Sequence, residues 1–205
     1  MPGRKSYHHG DLRSALLAAA EMELAEKGIE GFSLRGVAKR AGVSHAAPAH
    51  HFGDANGLLT ALAARGFEQL MKRQLDFMEK AGPDSWEQLQ AAGLGYVNFA
   101  LEHTPIFRLM FSSDRPDTGD PALKDATEAA YAMLLDHLKT IHGASPEENP
   151  SVALDMAAAW ATVHGLADIL ASGRLKPVSL LPEKARNIAI AAILQRSMPA
   201  GTGQA

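Results

Sequence analysis

The sequence predicts an all-α fold, and three observations carry that prediction. Aromatic residues make up only 6% of the 205-residue chain while alanine is abundant, a composition that suits close helix packing better than pleated sheet. No run of strict apolar alternation occurs, whereas apolar and small residues recur at helical spacing. Finally, Ser, Asp and Pro open these periodic stretches and Gly closes them, which is helix punctuation.

Taken in order, Asp11 is placed to cap a first helix near 11–27, with Leu12, Leu16, Ala20 and Leu24 on one face and Gly28 as its stop. Ser33 caps a short segment whose Leu34, Val37, Ala38 and Ala41 share a face, leaving Arg35, Lys39 and Arg40 off it; Gly42 ends it. Ser44 is expected to cap the next short helix, through about His50. Asp54 then opens one that runs past Lys80 to Gly82-Pro83. Beyond these, helices are expected over Ser85 to Glu102, Pro105 to Phe111, 121–142, 150–172 and 182–197, with a Pro- and Gly-containing loop from Ser112 to Pro121. The expected organisation is an N-terminal arm and helix-turn-helix unit over 1–53, a helical bundle over 54–198, and a disordered tail over 199–205.

Composition excludes several functions. With no cysteine, the chain has no disulfide framework, no thiolate nucleophile and no Cys-based metal site. The first residues lack the apolar centre of a signal peptide, so a cytoplasmic protein is expected. Val152 to Leu170 is interrupted by Asp155, His164 and Asp168, which favours a buried helix over a membrane span. No HExxH, GxSxG, Walker A or dinucleotide fingerprint is present, and His137 and His142 are five apart rather than three or four. Neither catalytic residues nor a metal or other cofactor are therefore expected.

Charge is uneven. The whole chain carries a formal −3, yet residues 1–53 hold seven Lys/Arg against five acids and five of the nine histidines, so a polyanion would be met there. In the same quarter, Ala41-Gly42-Val43 joins two short helices. Gly42 can supply the positive φ of a tight turn, and Ser44 follows with His45, Ala46 and Ala47 at the exposed start of the second helix. A helix presented in this way is about as wide as a DNA major groove.

The run GFSLRGVAKRAGVSHAAPAHHFGDANGLLTAL resembles the N-terminal domain of the TetR (tetracycline repressor-like) family of bacterial transcription regulators, from Leu12 through Leu62. Ala19-Ala20, Gly28, Val37-Ala38, Ala41-Gly42-Val43-Ser44, His51-Phe52 and Leu58-Leu59 fall at the family's intervals. AWATVHGLADILASGRL, with Trp160, His164 and Gly165, resembles the C-terminal domain of the subgroup called WHG-type.

This resemblance implies a homodimer that places the helix at Ser44–His50 of each subunit in successive major grooves of a double-stranded operator, half-site centres roughly 34 Å apart. Ser33, Arg35 and Lys39 or Arg40 would hold phosphates. Ser44 caps the reading helix, His45 would donate to a purine acceptor, and Ala46, Ala47 and Ala49 would meet thymine methyls. His50 and His51 would lie near the backbone, and Arg4, Lys5 and Tyr7 would form an arm along the duplex. Two departures stand out: Ala49 replaces the usual tyrosine and Ala55 a frequent lysine, both phosphate-gripping positions in relatives. Together with Pro48 they imply a short, stiff helix, and binding that is weaker, leans on DNA shape and depends on histidine protonation.

In the C-terminal half, Ala153, Ala157, Ala161 and Gly165 form a seam of small residues. Ala185, Ile188, Ala189, Ala192 and Ile193 repeat it on the last helix, with Ile190 and Leu194 as further apolar surface. Dimerisation through these last two helices is the expectation. Tyr96, Phe99, His103, Phe107, Met110, Phe111, Trp160 and His164 are the candidates to line a site for a small-molecule effector. The expected function is a DNA-binding transcription regulator, a repressor released by that effector. The alternative is a helical small-molecule-binding dimer that has lost DNA binding.

Overall fold

The computed structural model describes residues 9–197, and every regular element among them is a helix. These are α1 (His9–Lys27), α2 (Leu34–Ala41), α3 (Ala47–Phe52), α4 (Ala55–Met78), α5 (Ser85–Glu102), α6 (Thr104–Ser112), α7 (Pro121–His142), α8 (Pro150–Ala171), α9 (Lys176–Ser179) and α10 (Glu183–Ser197). They form two compact units. The first runs through Gly66 and takes in Pro105–Ala126; the second holds Phe67–Thr104 and the described residues from Thr127 onward. The first unit thus extends past residue 53 and borrows a later segment, which the expected division at 53/54 does not include. The arm residues Arg4, Lys5 and Tyr7 and the tail at 199–205 lie outside the described residues.

In the first unit, α1 buries Leu16, Ala20 and Leu24 of the expected face and Leu17 beside them, while Leu12 is half-buried, and the helix begins at His9 rather than being capped by Asp11. Ser33 stands at the N-cap of α2, its Oγ accepting from the Gly36 N–H at 3.1 Å, a contact worth ~1 kcal/mol in such positions. Gly42, at φ 67°, ends α2: its N–H reaches the Lys39 carbonyl and the Val43 N–H reaches that of Ala38, the double bond of a Schellman turn. Asp54 caps α4 through Gly57 N–H, as expected. The segment after α6 is tied to the start of α4, because Arg115 Nε donates to Asn56 Oδ1 at 2.8 Å and the Asp117 N–H to Thr60 Oγ at 2.9 Å.

The start of α3 is a correction. The sequence places it at Ser44, but the helix begins at Ala47, and the reason is Pro48. A helix capped at Ser44 would need the residue-48 N–H to reach the Ser44 carbonyl, and proline has none. That carbonyl instead accepts from Ala47 N–H at 3.0 Å in a tight turn, and Pro48 falls within the first two helical positions, where no N–H is required.

A three-residue brace fixes α2 on α1. Arg40 Nε donates to Glu23 Oε2 at 2.6 Å, and its Nη2 is bound to Glu26. Glu23 is 4% exposed, so this is a carboxylate kept from water and satisfied by a guanidinium. Gly36 makes room for it: a Cβ built there would collide with the Glu23 carboxylate.

The second unit is organised on α5, which is buried on nearly every side: Leu89, Ala92, Gly93, Gly95 and the run Tyr96–Ala100. It packs against α8 and α10, and α9 joins those two. No periodicity announces α9, whose four residues are too few to show one. At one end Leu89, Leu138 and Val152 form a dry cluster with Trp86, Leu134, Leu135, Ile141 and Met156 around it. Ile190 and Leu194, expected as further apolar surface on the last helix, are fully buried, whereas Ile188 is exposed. On α8, Leu154, Ala157, Ala161 and Ile169 face solvent, and nothing lies near Gly165 where a side chain would stand. None of the described helices is long and apolar enough to cross a membrane.

The brace makes a signed prediction. Gly36→Ala gains helix propensity of about 1 kcal/mol but dislodges Glu23 from Arg40, so urea unfolding should show a net loss of roughly 1–2 kcal/mol. In a Glu23→Ala background the collision is gone, and the same substitution should become stabilising. A loss of equal size in both backgrounds would refute the role given to Glu23.

Candidate nucleic-acid interface

The residues expected to meet DNA fall into three groups. Ser33, Arg35 and Lys39 are exposed on α2, and Ser44, His45 and Ala46 are exposed in the turn that leads into α3. Ala49 and His50 are exposed on α3 itself, while Ala47 and His51 are half-buried and Pro48 is buried. Proline therefore anchors the inner side of this short helix and leaves the small methyls and one imidazole outward. Arg40 belongs elsewhere: both contacting nitrogens are turned to the carboxylates of α1. Beside it, the Lys27 ammonium and the Arg40 guanidinium hold the Glu26 carboxyl down at about 2, so Glu26 stays charged throughout the physiological range.

Sequence reading passed over Arg13. It is exposed on α1, and its guanidinium carbon lies 5.2 Å from the centre of the Phe52 ring at the end of α3, a cation held on an aromatic face. The His51 ring is 6.2 Å from that same ring, and His50 stands edge-on to His51 at 5.4 Å. Arg13 therefore joins the histidine-bearing end of α3 from a different helix. No local pattern announces this, because the two residues are 39 positions apart.

The candidates for an effector site divide between the units. Phe107, Met110 and Phe111 are in the first. Phe107 is 1% exposed and stacks with Phe111 at 5.0 Å, and Met110 fills the space over Gly66, where a Cβ would approach its sulfur to 2.6 Å. Tyr96, Phe99, His103, Trp160 and His164 are in the second. There Phe99 is buried and its ring lies 5.2 Å from that of His103. Tyr96 and His164 are bonded, phenol oxygen to Nδ1, at 2.8 Å, and the half-exposed Trp160 stands edge-on to His164 at 6.3 Å. Burial pushes the Tyr96 phenol up and the His164 imidazole down, so near neutral pH both are uncharged, the phenol donating and Nδ1 accepting. Among the described residues no group of three His, Asp or Glu is placed to hold a metal ion.

Comparison with known proteins matches two stretches of the chain, the second of which runs through the 105–126 segment of the first unit. Residues 16–62 match the family described as bacterial regulatory proteins, tetR family, and residues 89–193 match the family described as tetracyclin repressor-like, C-terminal domain. The chain is similar to the HTH-type transcriptional regulator BetI of Stenotrophomonas maltophilia, 33% identical over 79 residues, which span 38% of this chain and 40% of that protein. Among solved structures, a protein of unknown function from Rhodococcus sp. RHA1 is 33% identical with a TM-score of 0.75, covering 94% of this chain and 98% of its own. A TetR from Acinetobacter baumannii in complex with minocycline shares the fold at 17% identity, with a TM-score of 0.58 over 94% of this chain and 97% of its own.

The Tyr96–His164 pair predicts how stability responds to acid. Burial lowers the folded-state pKa of His164 below its ordinary 6.5, so as pH falls through that value the unfolded chain takes the proton first. The stabilisation contributed by the neutral imidazole is complete above about pH 6.5 and declines below it. The difference in Tm between the parent and His164→Gln should therefore shrink between about pH 7.5 and about pH 5. A constant difference across that range would contradict the assignment of His164 as a partly buried, neutral acceptor.

Proposed function

Since the chain belongs to the TetR family of bacterial transcription regulators, with a DNA-binding N-terminal domain, we propose that it is a homodimeric repressor that leaves its operator when a small molecule binds its second unit. The observation that carries this reading is the exposed stretch Ser44–Ala46 with Ala49 and His50, held outward by the Gly42 turn behind it and by buried Pro48 beneath it. Two copies would set these stretches in successive major grooves, roughly 34 Å apart. Ser33, Arg35 and Lys39 serve phosphates, with Arg13 as a further cation at the far end of α3. His45 donates to a purine edge, and Ala46, Ala47 and Ala49 meet thymine methyls. His50 and His51 lie toward the backbone. Arg40 braces α2 and leaves the phosphates to its neighbours.

Pairing of subunits is assigned to α8 and α10. Leu154, Ala157, Ala161 and Ile169 on the one and Ile188 on the other present apolar side chains to solvent, and the open space at Gly165 lets a second helix approach closely. The minocycline-bound Acinetobacter protein supports a small-molecule effector for this architecture, and Tyr96, Phe99, His103, Trp160 and His164 are its candidate contacts in the second unit. A DNA regulator of this kind works in the cytoplasm, where the chromosome is.

Selection from random duplexes at about 100 mM salt tests the reading, followed by titrations over a salt series. An enriched inverted repeat is expected, and Arg35→Ala and Lys39→Ala should each lower the salt slope by about one. Weak binding with no enriched sequence would instead favour a ligand-binding dimer without an operator, the reading that exposed Ala49 supports.

A further inference from the structure

Among the described residues of the second unit, buried polar atoms without a hydrogen-bond partner in the protein are Gln69 Oε1 and Arg73 Nε on α4, Asn98 Oδ1 on α5, and Arg186 Nε and Asn187 Oδ1 on α10; the first three sit on helices that face each other. Gln69 and Arg73 are one turn apart, hence on one side of α4. Gly95, Asn98 and Glu102 make the corresponding line on α5. These lines meet, because a Cβ on Gly95 would stand 2.8 Å from the Arg73 carbonyl oxygen and 2.7 Å from the Gln74 Cα, and the Arg73 guanidinium is bonded to Glu102. Asn98 lies between those two contacts and is 1% exposed. Its amide cannot turn over to relieve the oxygen, since Nδ2 already donates to the Leu94 carbonyl at 2.9 Å. Buried polar atoms left without a partner are uncommon in folded proteins, and three on one helix pair mark a place built to meet something.

From this cluster, and resting on the reading of the second unit as the effector-binding half, we infer that the α4–α5 face receives the polar head of the effector, and that this head is a neutral donor–acceptor group such as a primary amide or a hydroxyl. Two amide oxygens require donors, and one guanidinium N–H requires an acceptor. A carboxylate brings no donor, would face both amide oxygens, and would meet an arginine whose charge Glu102 already balances. A primary amide supplies N–H to the oxygens and its own oxygen to Arg73.

Saturation-transfer NMR on the full chain, with benzamide and benzoate as matched probes at millimolar concentration, tests the inference. Benzamide should bind and benzoate should not. Asn98→Leu, which removes the amide oxygen but keeps the volume, should weaken benzamide at least about tenfold. If that variant does not fold, Gln69→Leu, farther along α4, should show a similar loss. Equal binding of the two probes, benzamide binding that survives both substitutions, or no binding of either probe overturns the proposal. Operator selection with the same variants keeps the outcomes apart: DNA binding that persists while the probes fail leaves the regulator reading standing and removes only this head-group site.

Discussion

The reading end of this molecule depends on a carboxylate that lies where a side chain is missing. With hydrogen alone at Gly36, the Glu23 carboxylate can settle against α2 and take Arg40 Nε, while Glu26 takes Nη2 from the rim. As a source of stability such a pair is ordinary, because desolvating the partners offsets much of their attraction. Its value is geometric. Two hydrogen bonds from a planar guanidinium to two residues of α1 allow little freedom in where α2 sits. Since the Val43 N–H is bonded to the Ala38 carbonyl, the turn into α3 follows the position of α2.

Proline at position 48 continues the same logic. It removes one N–H from the sequence and thereby shifts the helix start from Ser44 to Ala47, so that Ser44, His45 and Ala46 become a turn at the exposed edge rather than a first helical turn. A short helix with an anchored inner side has less freedom to lose on binding, which offsets some of what is forgone with a small residue at Ala49. The basic side chains of the unit then divide between two tasks: Arg35 and Lys39 stay free at the surface, and Arg40 is used up inside.

How much of this was legible in the sequence depended on the range of the interaction. Ser33 and Gly42 bound α2 where reading placed them, and α5 runs from Ser85 to Glu102 as expected, because capping residues and helical periodicity act within a few positions. The brace was not legible: Arg40 and Glu23 are 17 positions apart, and three exposed-looking cations on one short helix give no sign of which is engaged. Ser44 is a good capping residue, but the N–H missing four residues on outranks it. On α10, a helix apolar on several sides could not reveal that Ile190 and Leu194 point inward and Ile188 outward, since that choice is made by the helices packed against it. Of the eight aromatic, methionine and histidine candidates for an effector, composition supplied the residue types. Their division between two compact units is a property of topology.

The claim that most of the account rests on is the assignment of Arg40 to the fold rather than to the phosphates. It is tested directly by the salt dependence of operator affinity for Arg40→Ala beside the parent, at a temperature where both are folded. The account predicts a lower unfolding temperature and weaker binding with an unchanged slope, since no phosphate contact is lost. A slope reduced by about one, with the unfolding temperature preserved, would place Arg40 on the DNA and contradict it.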